Sequence, residues 1–172
     1  MKQATTPAAE FSRPFDTGEM TGFSEARRLD ANFEERGALA ERFGLLSLDR
    51  LVAELEVRRM GPGLFRVAGR FQADVVQECV VTLDPVPARV DGEVGATFAR
   101  EARETDTDDA PEPMEGNIID LGEVVAQELA LTLDPYPRRP GAQIEDILPR
   151  AAGDEAPSGP FAKLSKLQKK GG

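Results

Sequence analysis

The feature that most constrains the fold is an alternation of apolar and polar residues running, with two interruptions, from Leu51 to Phe98. Leu51, Ala53, Leu55 and Val57 alternate with Val52, Glu54, Glu56 and Arg58. Beyond Gly61-Pro62-Gly63 the odd positions Phe65, Val67, Gly69, Phe71, Ala73, Val75, Cys79 and Val81 make one apolar face, with Arg66, Arg70, Gln72, Asp74 and Glu78 opposite. A period of two is that of a strand whose successive side chains point to opposite faces, and Gly-Pro-Gly between two such runs is turn chemistry. The runs predict a long antiparallel hairpin, with Gly69 marking a bulge or bend. Pro85 and Pro87 break the pairing, after which Val86, Ala88, Val90, Val94, Ala96 and Phe98 resume it against Arg89, Asp91, Glu93 and Thr97.

Two other segments carry a helical rhythm. From Ser24, read as a cap, to Phe43, the residues Leu29, Phe33, Arg36/Gly37, Ala40 and Phe43 recur at a spacing of three or four, which predicts an N-terminal core-packing helix. In the second segment Leu121, Val124, Val125, Leu129 and Thr132 share a side, widened by Ala126, Ala130 and Leu133. Asp120 caps that helix, Glu123 is placed to reach back to the cap's amide, and Asp134-Pro135 stops it. Glu10–Asp16 reads as a short edge strand, and a further helical turn is expected near Ala142–Leu148.

The fold class is therefore α+β, a single domain over residues 10–150. It is expected to hold an antiparallel sheet of about four strands, an N-terminal helix, and a second helix after an acidic loop. Residues 1–9 read as a disordered start. Residues 100–116 read as a disordered loop with seven acids against two arginines, and 151–172 as a flexible lysine-rich tail. No apolar run approaches the roughly 18 residues of a membrane span, and Met1–Glu10 lacks a secretory pattern, so a cytoplasmic protein is expected with no membrane partner.

Composition removes most catalytic chemistry. With no histidine and one cysteine there is no Ser-His-Asp or Cys-His arrangement, no internal disulfide and no cysteine–histidine metal centre. Cys79 needs a base or a positive helix end to act as a nucleophile, yet it lies on the inward face, which favours a structural role. Asp106, Asp108 and Asp109 lack the glycine and terminal glutamate of a calcium loop, and no phosphate-binding glycine motif is present. No catalytic, cofactor or metal residue is assigned, and no cofactor is expected.

Charge points to partners. The net charge is −10, yet residues 50–70 carry Arg50, Arg58, Arg59, Arg66 and Arg70 against Glu54 and Glu56, a local +3. Arg58, Arg66 and Arg70 fall on the polar sides of two paired strands, where guanidinium groups can hold RNA phosphates in pairs of hydrogen bonds. The plainer alternative is a solvent-facing sheet laced with Arg–Glu pairs. Few exposed aromatics are expected beside these arginines, so base stacking is not indicated. The tail adds Lys163, Lys166, Lys169 and Lys170, interleaved with Phe161, Leu164 and Leu167, as a second candidate for RNA or partner binding.

The stretch Phe71–Val86 (FQADVVQECVVTLDPV), then an acidic loop, then Ile119–Pro137 (IDLGEVVAQELALTLDPYP) resembles the bacterial large-ribosomal-RNA-subunit accumulation protein family, the YceD-like domain. The resemblance lies in a strand ending in cysteine, the turn Leu83-Asp84-Pro85, another strand, and a helix led by Asp120 and Leu121. Phe11-Ser12-Arg13-Pro14 and Pro160–Leu164 look like one branch of that family. Cys79, Leu83, Pro85, Asp120 and Leu121 are thereby marked as structural motif residues. Many members carry a Cys-x-x-Cys-Leu-acid-Pro motif, and some have further cysteines near the end. Here Thr82 holds the second cysteine's place and none occurs around Arg138–Gly141, so no metal or redox site carries over. This branch must hold the turn by packing and hydrogen bonding.

The resemblance implies a non-enzymatic ribosome-biogenesis factor supporting accumulation of large-subunit ribosomal RNA through its synthesis, processing or stability. Its partners would be that RNA or the pre-ribosome, bound directly, or a basic ribosomal protein held by the acidic body, which net charge slightly favours. The rivals are a general protein-interaction adaptor and a hydrolase using Cys79 or carboxylates.

Overall fold

The alternating segment forms three long strands, and everything else is arranged on them. The computed structural model describes residues 10–100 and 110–143. Its elements in chain order are β1 (Pro14–Asp16), β2 (Ser24–Asp30), α1 (Phe33–Phe43), β3 (Ser47–Gly61), β4 (Leu64–Glu78), β5 (Pro85–Ala99), β6 (Glu112–Pro113), β7 (Ile118–Asp120) and α2 (Leu121–Thr132). The class is α+β. The main sheet has five strands in the order β2-β3-β4-β5-β6, antiparallel except for β5–β6, and β1 pairs with β7 in a separate ribbon.

Leu51, Ala53, Leu55 and Val57 of β3 and Phe65, Val67, Phe71, Ala73 and Val75 of β4 line the inner face. Leu121, Val124, Val125 and Leu129 of α2 and Leu39 and Ala40 of α1 join them in one core, with Phe11, Phe15 and Met20. Burying a side chain of this kind contributes about 1.5–3 kcal/mol, so the inward half of the alternation is what fixes the sheet's register.

Several expectations are corrected. Ser24–Asp30 is a strand paired with Val52–Arg58, and α1 begins only after Asn32. Leu29 and Phe33 mimic a helical repeat, but Leu29 is the one buried residue of β2 and Phe33 is 82% exposed. The cap is Asn32, whose side chain accepts from Glu35 N–H while Glu35 accepts from Asn32 N–H. The expected acidic loop is shorter at its far end, because β6 pairs with Phe98–Ala99 and Met114 is buried; residues 101–109 lie outside the described residues. The helical turn expected near Ala142–Leu148 lies mostly outside them.

The bulge expected at Gly69 is absent: the β3–β4 register shifts fall between Leu48 and Arg50 and between Arg59 and Gly61. Gly69 instead permits a close approach, since a Cβ there would collide with the Glu54 carbonyl oxygen. Gly92, paired with Phe71, likewise leaves room for that ring. Gly69 thus admits the β3 backbone and Gly92 the Phe71 ring without pushing the strands apart.

Candidate nucleic-acid interface

Strand pairing turns the outward positions into rows. Ser24, Arg58, Arg66 and Thr97 form one row across β2, β3, β4 and β5, and Arg28, Glu54, Arg70 and Glu93 form another. Arg50, Asp74 and Arg89 form a third. The excess of positive charge along residues 50–70 is thus met by Asp74, Asp91 and Glu93 from the same or the neighbouring strand. Ion pairs link Arg58 to Glu56 (2.7 Å), Arg70 to Glu54 (3.0 Å), Arg28 to Glu54 (3.8 Å) and Arg89 to Asp91 (3.6 Å). These are solvent-exposed pairs, each worth under about 1 kcal/mol.

Two places on this face keep a local surplus. Arg28, Arg50 and Arg70 surround a depression of about 290 Å³ with Val52, Gln72 and Glu54, and Glu54 pairs with Arg28 and Arg70. At the hairpin end Arg58 and Arg66 stand directly opposite each other. Glu56 engages Arg58, whereas among the described residues Arg66 Nη1 reaches only the Thr97 hydroxyl, at 3.5 Å.

Arg59, predicted beside Arg58, leaves this group. Its guanidinium lies 5.9 Å from the Phe65 ring and donates to the Met20 carbonyl at 3.4 Å. Arg100 flanks the same ring at 5.6 Å. Phe23, whose carbonyl accepts from Arg59 N–H at 2.8 Å, is 83% exposed, and Met60 is 55% exposed. Sequence reasoning missed Arg28 and Arg89 as members of this surface. Arg28 was hidden by the helical reading of its segment. Lys163, Lys166, Lys169 and Lys170 lie outside the described residues.

The motif residues serve structure. Cys79, fully enclosed, begins a turn in which its N–H donates to the Asp84 carbonyl and Leu83 N–H donates back to its own carbonyl. Its Sγ accepts from Arg139 N–H and Thr82 N–H, each at 3.4 Å. The Arg139 amide first, and then Thr82, bring the thiol down to about 6 against the raising effect of burial. Arg139 also pairs with Asp84 at 3.0 Å, and Val80 N–H donates to the Pro137 carbonyl. The segment around Arg138–Gly141 thus does meet the Cys79 turn, and hydrogen bonds and an ion pair hold the two together. Leu83 sits at φ 61°, a left-handed conformation rare for leucine, and Pro85 begins β5. An enclosed thiol gives a substrate no access, which removes the Cys79 version of the hydrolase.

Asp120 joins the ends of the domain. It caps α2 by accepting from Gly122 and Glu123 N–H, and also accepts from Ser12 Oγ (2.6 Å) and Arg13 N–H (2.7 Å). Leu121 beside it is buried. Glu123 accepts from both Arg42 nitrogens, at 2.9 and 2.8 Å, in place of the expected reach back to the cap. Arg13 grips Glu35 through two bonds, at 2.6 and 2.9 Å, and that guanidinium holds the Glu35 carboxyl below its usual range.

No helix of the described residues is long and apolar enough to cross a membrane. A family model described as Large ribosomal RNA subunit accumulation protein YceD matches residues 67–168, from β4 through α2 and beyond. No curated protein and no solved structure matches the chain.

Proposed function

The chain belongs to the large ribosomal RNA subunit accumulation protein YceD family, and from that premise we propose that it is a non-catalytic factor contacting large-subunit ribosomal RNA through the outer face of its sheet. The observation that carries this reading is the Arg28–Arg50–Arg70 depression, where arginines from three strands line one space of about 290 Å³. Planar guanidinium groups bind phosphate oxygens in pairs, and such contacts position a protein on RNA without reading its sequence. The factor then supports accumulation of the RNA in its synthesis, processing or stability.

Depletion of the protein in its own cells is expected to lower large-subunit relative to small-subunit ribosomal RNA. The wild-type chain restores the ratio, and a chain with Arg28, Arg50 and Arg70 all changed to alanine does not. Full rescue by that variant rejects the face. A second reading has its own observation: Glu112, Glu115 and Glu123 line a groove of about 470 Å³ with Ile118 and Val124, suited to a basic ribosomal protein. Recovery of such a protein, with no RNA cross-link to the chain, favours that reading.

A further inference from the structure

We propose that the chain's own lysine-rich segment, residues 160–172, docks in the acidic groove beside β6, β7 and α2 and so withholds that groove from basic proteins. The surface is not the arginine face, and nothing in the inference rests on RNA binding. Phe98, Ile118 and Val124 line this groove of about 470 Å³ together with Glu112, Glu115 and Glu123. Ile118 is 41% exposed, which leaves apolar surface for an occupant to cover. Two bonds from Arg42 fix Glu123, whereas Glu112 and Glu115 are exposed. Residues 101–109 leave the sheet just beyond Phe98 and return just before Glu112. Their five acids against one arginine make them a poor occupant here and strengthen the attraction of a basic one.

Charge, apolar spacing and reach identify the occupant, which lies outside the described residues. Among the described residues every basic side chain is an arginine, whereas four of the chain's five lysines are Lys163, Lys166, Lys169 and Lys170. No acid occurs in residues 156–172, so this stretch is the one most opposed in charge to the groove. Phe161, Leu164 and Leu167 recur every three residues among the lysines, a spacing that sets them on one side of a helix. An amphipathic segment fills an apolar groove with such a side, and lysine stems cover apolar surface while their heads reach carboxylates at its edge. RNA phosphates, by contrast, meet like charge here. Reach is no obstacle: Val124 lies nine residues before Leu133, about 14 Å along α2. Gln77 and the Val80 amide hold Asp134 and Pro137 against the end of β4, and the described residues stop shortly after, at Gln143. The 17 residues 144–160 span up to about 60 Å. A tether of that length keeps the segment at an effective concentration of about millimolar, which a separate basic protein has to outcompete.

The test compares the full-length chain with one ending at Ser158, which retains every described element, and uses a fluorescently labelled peptide of residues 159–172 as probe. The peptide should bind the shortened chain and bind the full-length chain about tenfold more weakly or worse, because the tethered copy holds the groove. Raising the salt should weaken binding. Glu112→Lys with Glu115→Lys in the shortened chain, and Phe161→Ala with Leu164→Ala in the peptide, should each weaken it about fivefold or more. Both glutamates are exposed, so thermal unfolding of their double variant should match that of the shortened chain. In the full-length chain, carbodiimide coupling of lysine to carboxylate should join Lys163 or Lys166 to Glu112 or Glu115 within one molecule. Absence of peptide binding to the shortened chain overturns the proposal, as does equal affinity for the two chains or indifference to either pair of substitutions. Coupling to the acids of residues 101–109 instead, or between two copies of the chain, also overturns it. Such a failure leaves the depletion experiment and the arginine face untouched, so the two readings fall separately.

Discussion

Arginines in two regions of this molecule live under opposite rules. Around Asp120, Arg13 is locked to Glu35 by two bonds and Arg42 to Glu123 by two more. At the β3–β4 end, Arg66 faces Arg58 and, among the described residues, hydrogen-bonds a hydroxyl at 3.5 Å. The same side chain is thus a structural tie in one place and an unspent charge in the other. The first region joins the chain's first described residues to α2, where a lost bond strands polar groups; the second lies on a solvated sheet where a lost charge strands nothing. Their response to mutation should differ in sign.

The largest effect is expected at Asp120. Asp120→Ala removes the α2 cap and leaves the Ser12 hydroxyl and Arg13 N–H without their acceptor, so it should cost about 2–3 kcal/mol in denaturant unfolding. Asp120→Asn keeps an acceptor for the cap and should recover part of that loss. A cost near zero for the alanine variant would erase the distinction between the two regions.

Asp120 also shows how far the sequence could be read. Its role as a cap was legible from its position before an apolar helical run. Its bond to Ser12, 108 residues away, was not, because no local pattern encodes a partner at that distance. The three long strands were legible because one face of each is committed to the core. Ser24–Asp30 was not: only Leu29 is buried, so no alternation marks the strand, and pairing with β3 decides its conformation. The surface follows the same division. Parity alone put Arg58, Arg66 and Arg70 on one face, but the acids that temper them come largely from neighbouring strands, and the placement of Arg28 required β2.

A smaller effect sharpens the structural side. Arg13 holds the folded Glu35 carboxyl below its unfolded value, so the pair's contribution is present above about pH 4.3 and is lost as pH falls through the lower folded value. The pair is partly exposed, with side chains 33% and 17% accessible, which keeps its worth to about 1 kcal/mol. Glu35→Gln should therefore lower stability near neutrality by about that amount and flatten its fall below pH 4.5. An unchanged acid limb would place the pH sensitivity in other carboxylates.

The smallest effect carries the opposite sign. Arg66→Glu replaces a guanidinium facing Arg58 with a carboxylate facing it, converting cross-strand repulsion into a pair. The expected gain is about 0.5 kcal/mol in unfolding free energy, read at low salt and shrinking as salt is added. Arg58 is already shared with Glu56, which limits the gain without reversing it. The same substitution removes a phosphate contact, so stability should rise as RNA affinity falls. That opposition separates a charge kept for a ligand from one kept for the fold. If Arg66→Glu instead destabilises the chain as Asp120→Ala does, the hairpin end is held by its arginines after all, and both regions obey one rule.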